Sequence, residues 1–232
     1  MGTRYAGAMA SPATSLTVLG LELPRDLHTL AGFRRWMSAQ SDAPAPRPTG
    51  CFLSGKVHID MSAQSFHSHE PVVDAMNHEL RRLTLAADLG RFFSPPSLFV
   101  DQRSALCTEP DGFLVLWSSL ERRVRINPER ASELLRVPDM TLEVVSRSSA
   151  RKDLHDLVDG YAAAGVKEYW IADARGERVD LSIRVLQRRR YRVQPADDDG
   201  WIASPLFDHA FRLVRFTDKA GWTDFRLESR AV

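Results

Sequence analysis

A glutamate set inside an apolar strand is the feature of this 232-residue chain best suited to do chemistry. In VPDMTLEVV, Met140, Leu142 and Val144 alternate with Asp139, Thr141, Glu143 and Val145, so Glu143 shares a packed strand face with apolar neighbours. An unpaired ionised carboxylate there costs several kcal/mol or shifts its pKa. Carboxylates are hard oxygen donors suited to a dication of the Mg²⁺ type, and such an ion serves phosphodiester hydrolysis. Asp139 and Glu143 share a face but stand about 13 Å apart along the strand, too far to grip one ion together. Asp111, in Glu109-Pro110-Asp111-Gly112 at the mouth of a strand predicted over 113–117, could lie beside Glu143 if the two strands pair at roughly 4.8 Å.

Each of these residues also has a plainer reading. Glu143 could be a buried acid paired with Arg147 or Arg151, and Asp111 a turn residue in a Pro-Asp-Gly corner. Asp139 follows Pro138 and turns the chain into its strand, which leaves it a secondary candidate. Asp153 reads as a first-turn helix acid. Lys152 sits beside it, where a cation opposes the helix dipole by roughly 0.3 to 1 kcal/mol, so it is either a solvated base or a functional one. His69 and Glu79, just before and within an upstream helix, are further secondary candidates; a lone histidine is more often a cap. His67 and His69 are the one close histidine pair, and the clusters Arg122-Arg123-Arg125 and Arg188-Arg189-Arg190 read as exposed turns and strand edges. No phosphate-binding Gly-rich loop, HExxH or G-x-S-x-G motif is present.

The elements that must hold these residues are legible from pattern. After the strand around Glu143, the Ser146–Ser149 run supplies helix-capping chemistry. Leu154, Leu157, Val158, Tyr161 and Ala162 then repeat at helical spacing until Gly165, and a second strand over 168–172 follows. Tyr161, Tyr169 and Trp170 read as core aromatics. Upstream, the spacing predicts a short helix over 27–36 capped by Thr29, a Pro- and Ser-rich linker over 38–50, and a hairpin over 51–61 pivoting at Ser54-Gly55. A long amphipathic helix over 70–89 is expected to stop at Gly90. Downstream, two strands meet at the Arg188–Arg190 turn, and ADDDG leads into a last apolar segment.

At 44% hydrophobic and 26% charged, the chain can bury one substantial core, so residues 25–232 are expected to form a single domain behind a loose tail over 1–24. A formal net charge of +1 gives no global field toward nucleic acid or membrane, so any phosphate-binding surface must be local. Cys51 and Cys107, the only cysteines, lack zinc-type spacing and suit a reducing cytoplasm. No apolar run approaches the roughly 20 residues that span a bilayer.

The runs PDMTLEVVSRSS, RKD and YAAAGVKEYWIAD, with TEPDGFLVLWSSL and LHTLAGFRRW upstream, resemble the Uma-type endonuclease family of the PD-(D/E)XK superfamily. The resemblance implies an α/β restriction-endonuclease-like fold with an αβββαβ core: a mixed sheet flanked by helices, with an N-terminal helical arm and a C-terminal β-hairpin extension. It implies a metal-dependent endonuclease acting on nucleic acid, with DNA the expected substrate, and by analogy a homodimer. Asp111 and Glu143 match the family's acids and would hold Mg²⁺ or Mn²⁺, with the Val144 carbonyl as third ligand. The superfamily lysine, two positions after the second acid, is replaced by Val145. The helix position that carries it in many Uma-type members is Leu157, which leaves Lys152 as the candidate catalytic lysine. The broken lysine pattern keeps open a degenerate nucleic-acid-binding module, or a structural one, on the same fold.

Overall fold

The computed structural model describes residues 15–18, 21–40, 47–61, 68–122 and 124–232. The chain opens with β1 (Ser15–Val18) and β2 (Leu21–Pro24), then α1 (Leu30–Gln40) and a hairpin of β3 (Thr49–Leu53) and β4 (Lys56–Asp60). α2 (His69–Ala86) precedes β5 (Gly90–Phe93), β6 (Leu98–Asp101), β7 (Leu106–Thr108) and β8 (Gly112–Leu116). A short α3 (Trp117–Arg122), β9 (Arg125–Asn127) and β10 (Arg130–Leu135) lead into β11 (Met140–Val144), α4 (Leu157–Ala164) and β12 (Glu168–Asp173). The remainder is β13 (Asp180–Gln187), β14 (Arg190–Val193), β15 (Ile202–Ser204), β16 (His209–Thr217) and β17 (Thr223–Ala231).

β11 is the axis of the fold because both of its faces are buried. Met140, Leu142 and Val144 pack with Val72, Met76 and Leu80 of α2 on one side, while Val145, just past the strand, joins Leu157, Tyr161 and Tyr169 on the other. Each such side chain contributes about 1.5–3 kcal/mol on burial, so the two clusters fix the register of β11 from both sides. The six-stranded sheet runs β14-β13-β12-β11-β8-β5. β11 lies parallel to β12 and antiparallel to β8, and β8 antiparallel to β5. A parallel step requires a crossover, which α4 supplies; α2-β5-β8-β11-α4-β12 is thus the expected αβββαβ core. Gly165, at φ 92°, ends α4 and turns the chain into β12.

A second sheet, β4-β3-β7-β6-β10-β9, packs Phe52, Val100 and Cys107 against Phe33, Trp36 and Met37 of α1. The Thr29 hydroxyl accepts the Gly32 N–H at 3.0 Å, the cap the sequence predicts, but α1 itself begins at Leu30 because 25–28 form a separate tight turn. The described part of the expected loose tail is instead the β1–β2 pair, anchored where Trp36 Nε1 donates to the Glu22 carbonyl at 3.0 Å. Gly90 does not terminate α2. It opens β5, where an added Cβ would lie 2.1 Å from the Val115 carbonyl oxygen, so glycine is required for strand contact. Ser54-Gly55 turns the β3–β4 hairpin with positive φ at both residues. The C-terminal extension is a three-stranded sheet, β15-β16-β17, wider than the hairpin expected. Of the linker expected over 38–50, residues 38–40 continue α1 and 49–50 open β3, while 41–46, like His67 and Arg123, lie outside the described residues. No helix among the described residues is long and apolar enough to cross a membrane.

Candidate active site

The C-terminal end of β11 opens into a cleft of about 270 Å³ lined by Asp111, Glu143, Val144, Lys152 and Asp153, with His69 and Glu70 from the start of α2. The pairing of Leu142 with Gly112 explains why the two acids meet: one residue further, Glu143 of β11 faces Asp111 at the mouth of β8. Asp111 turns its carboxylate to take the Val144 N–H on Oδ2 at 2.6 Å, and His69 Nε2 stands 3.6 Å from the same oxygen. Asn77 of α2 secures the backbone there by donating to the Asp111 carbonyl at 2.9 Å.

Glu143 is 2% exposed, and each of its oxygens has a distinct partner. Tyr161 donates its hydroxyl to Oε1 at 2.5 Å, and Lys152 Nζ lies 3.2 Å from Oε2. Lys152 also stands 2.6 Å from Asp153 Oδ1. Neighbouring helix residues diverge by about 100°, so Lys152 reaches back to Asp153 through its long side chain. Here the chain widens into a π-type turn over Lys152–Asp156, a departure common at functional sites. Tyr169 holds this turn by donating to the Asp153 carbonyl at 2.7 Å. Ser146 and Ser149 fold the preceding loop, with the Ser149 N–H donating to the Ser146 hydroxyl at 3.0 Å.

Electrostatics follow from burial and crowding. Burial pushes the Glu143 carboxyl up to about 8; Lys152 opposes this, while Asp153 and Asp111 add to it. Burial likewise raises Asp153 against the pull of Lys152. Burial opposes the charge on Lys152, but the two carboxylates outweigh it and its pKa is raised, so the ammonium keeps its proton. His69 is also raised, because contact with Asp111 outweighs its burial.

Two sequence candidates lie elsewhere. Asp139 is fully buried at the opposite end of β11, where it accepts the Leu116 N–H and the Ser119 hydroxyl at 2.9 Å each and pairs with Lys167 at 2.8 Å. Its carboxylate ties strand ends and loop together, and the lysine and donors hold its pKa down despite burial. Glu79 faces the C-terminal sheet, paired with Arg82 at 2.7 Å and with the Ser229 hydroxyl. α2 instead brings His69 and Glu70, one helix end away, to the cleft. Neither Arg147 nor Arg151 pairs with Glu143; Lys152 and Tyr161 do. In the sequence alone, Asp153 reads as a helix-end acid and Tyr161 as a core aromatic. Tyr161 recurs at apolar helical spacing, which hides its hydroxyl; the adjacency Lys152-Asp153 was the available signal for Asp153.

Among the described residues, no three His, Cys, Asp or Glu side chains stand together as a ready metal cage. The chemistry of the donor set nevertheless suits a dication: Asp60, Glu70, Glu109, Asp111, Glu143 and Asp153 line the cleft against Lys152 and His69. Glu109 is paired with Arg47, and the remaining carboxylates, once ionised, outnumber Lys152 and His69 and repel a phosphodiester unless a cation intervenes.

Fold and cleft together define a restriction-endonuclease-like α/β protein with an acid-and-lysine site at a strand end. The chain belongs to the Uma2 family, whose model, described as "Putative restriction endonuclease", matches residues 45–214. Its fold is similar to that of a crystal structure described as a putative nuclease belonging to DUF820 from Anabaena variabilis. The two agree with a TM-score of 0.58 at 18% identity, over 77% of this chain and 90% of that one. No curated protein matches the chain. Family membership supports a nuclease role.

Proposed function

We propose that the protein is a metal-dependent endonuclease of PD-(D/E)XK type that hydrolyses phosphodiester bonds of DNA. The observation that carries this reading is the convergence of Asp111, Glu143 and Lys152, from two strands and a helix turn, on one acidic cleft. Asp111, Glu143 and the Val144 carbonyl would hold Mg²⁺ or Mn²⁺. The ion, when bound, would neutralise phosphate charge and ease ionisation of a water. Lys152 offsets charge that develops on the phosphate, a role suited to an ammonium held protonated by two carboxylates. Asp111, pinned by the Val144 N–H, presents its oxygens without rotating. Val145 and Leu157 are buried in the core, and Lys152 supplies a cation to the cleft in their place, which argues against a degenerate site. A cytoplasmic setting and a homodimer belong to the same proposal.

A plasmid-nicking assay across Mg²⁺, Mn²⁺ and Ca²⁺ tests it, with Asp111→Ala and Glu143→Ala as comparisons. Nicking that needs Mg²⁺ or Mn²⁺ and falls at least about 100-fold in both variants is expected. Nicking unaffected by both changes would remove the mechanism.

A further inference from the structure

We infer that Tyr161 is a positioning residue for Glu143, fixing one carboxylate oxygen in the core so that the other alone faces the cleft. The inference rests on the proposed metal-dependent chemistry and concerns a tyrosine that pattern alone assigns to packing. Tyr161 is fully buried, and its hydroxyl donates to Glu143 Oε1 at 2.5 Å. Its ring cannot swing away: Tyr169 meets it edge-on at 4.9 Å and Phe99 packs on it at 5.8 Å. The opposite oxygen, Oε2, is the one that Lys152 reaches from the cleft, at 3.2 Å. A glutamate on a strand normally has a broad terminal torsion. Here two donors on opposite sides divide the carboxylate into a core oxygen and a cleft oxygen. Glu143 can then offer only a single oxygen to a cation, and does so from a fixed direction. Outer-shell donors of this kind commonly change metal affinity by about 10- to 100-fold.

The test is Tyr161→Phe, which removes one oxygen and keeps the ring. Tyr191→Phe is the control, because it deletes another largely buried hydroxyl, bonded at 2.9 Å to the Val166 carbonyl and absent from the cleft lining. Mn²⁺ titrated calorimetrically into each full-length protein should bind about 10- to 100-fold more weakly to Tyr161→Phe than to wild type, and equally well to Tyr191→Phe. An affinity within about twofold of wild type in Tyr161→Phe overturns the inference. Metal-free crystal structures give a readout independent of the proposed function: if wild type binds no Mn²⁺, a Glu143 carboxylate that turns in Tyr161→Phe supports the positioning role and one that stays in place overturns it. If Tyr161→Phe does not fold, wild-type protein carrying 3-fluorotyrosine decides. A Tyr161 fluorine resonance that shifts on Mg²⁺ addition, with Tyr191 unchanged, supports the inference, and an unmoved Tyr161 resonance sinks it.

Discussion

Lys152 Nζ stands 3.2 Å from Glu143 Oε2, although Lys152 occupies neither of the lysine positions expected after that strand acid. Position 145 points into the core with Tyr161 and Tyr169, and position 157 is fully buried. A lysine at either would need its own pocket, whereas Lys152 lines the cleft directly. Lys152→Met should therefore lower the nicking rate by about 100- to 1,000-fold while leaving divalent-ion binding intact, since it removes a cation that competes for Glu143. Unchanged nicking rates, or loss of metal binding in calorimetry, would contradict this assignment.

The raised Glu143 carboxyl has consequences for pH. Its folded pKa is about 8 against an ordinary 4.5, so between those values the folded state binds more protons than the unfolded state. The group's contribution favours folding below about pH 4.5 and is lost as pH rises through 8. Urea unfolding of the metal-free protein should show Glu143→Gln losing less stability than wild type between pH 5 and pH 8. Divalent-ion binding at pH 7 should also release a proton, seen as a dependence of calorimetric heat on buffer ionisation enthalpy. An identical pH slope in both proteins would count against the raised carboxyl.

Asp139 offers the opposite behaviour. Its pKa is held down, so its stabilisation is present above the ordinary carboxylate range and fades as pH falls through the folded value. Asp139→Ala removes the acceptor that the Leu116 N–H, the Ser119 hydroxyl and Lys167 share, which should cost about 1–3 kcal/mol in denaturant unfolding. Nicking per folded molecule should be unchanged; a loss of catalysis without loss of stability would return Asp139 to the site.

Gly112 couples packing to the cleft. A Cβ there would lie 2.5 Å from Asn77 Oδ1 and 2.9 Å from Phe92, and Asn77 is the residue that holds the Asp111 carbonyl. Gly112→Ala should lower both thermal stability and nicking, with activity falling about 10-fold or more at temperatures where the protein remains folded. Full activity in the folded variant would mean that Asn77 moves without carrying Asp111.

The arginine turn at 188–190 tests where nucleic acid runs. β12 pairs Glu168 with Val185 and Asp173 with Asp180, which puts this turn at the end of the sheet away from Glu143. Replacing Arg188, Arg189 and Arg190 together with Ser should leave the slope of log affinity against log salt within about one unit of wild type. A drop of about 2.7, the value for three lost phosphate contacts, would place the track over that end.

Much of this protein is written in local pattern. Alternation through Met140–Val145, helical spacing from Leu154 to Ala162 and the stop at Gly165 determine the strand-helix-strand unit, because period and end residues act over a few positions. Glu143 is legible for the same reason, as a carboxylate inside an apolar strand, whereas Asp111 at its Pro-Asp-Gly corner reads as a turn residue until it is taken together with Glu143 and the family resemblance. Tertiary structure alone decided the rest. Antiparallel register placed Asp111 beside Glu143, while Asp139, equally conspicuous in sequence, was carried to the other end of the same strand and claimed by Lys167. The packing of the helix that follows β11 set Lys152 between Glu143 and Asp153 and brought the Tyr161 hydroxyl onto Glu143. These are contacts across distant parts of the chain, set by how apolar faces close on each other, and no periodicity within a segment encodes them.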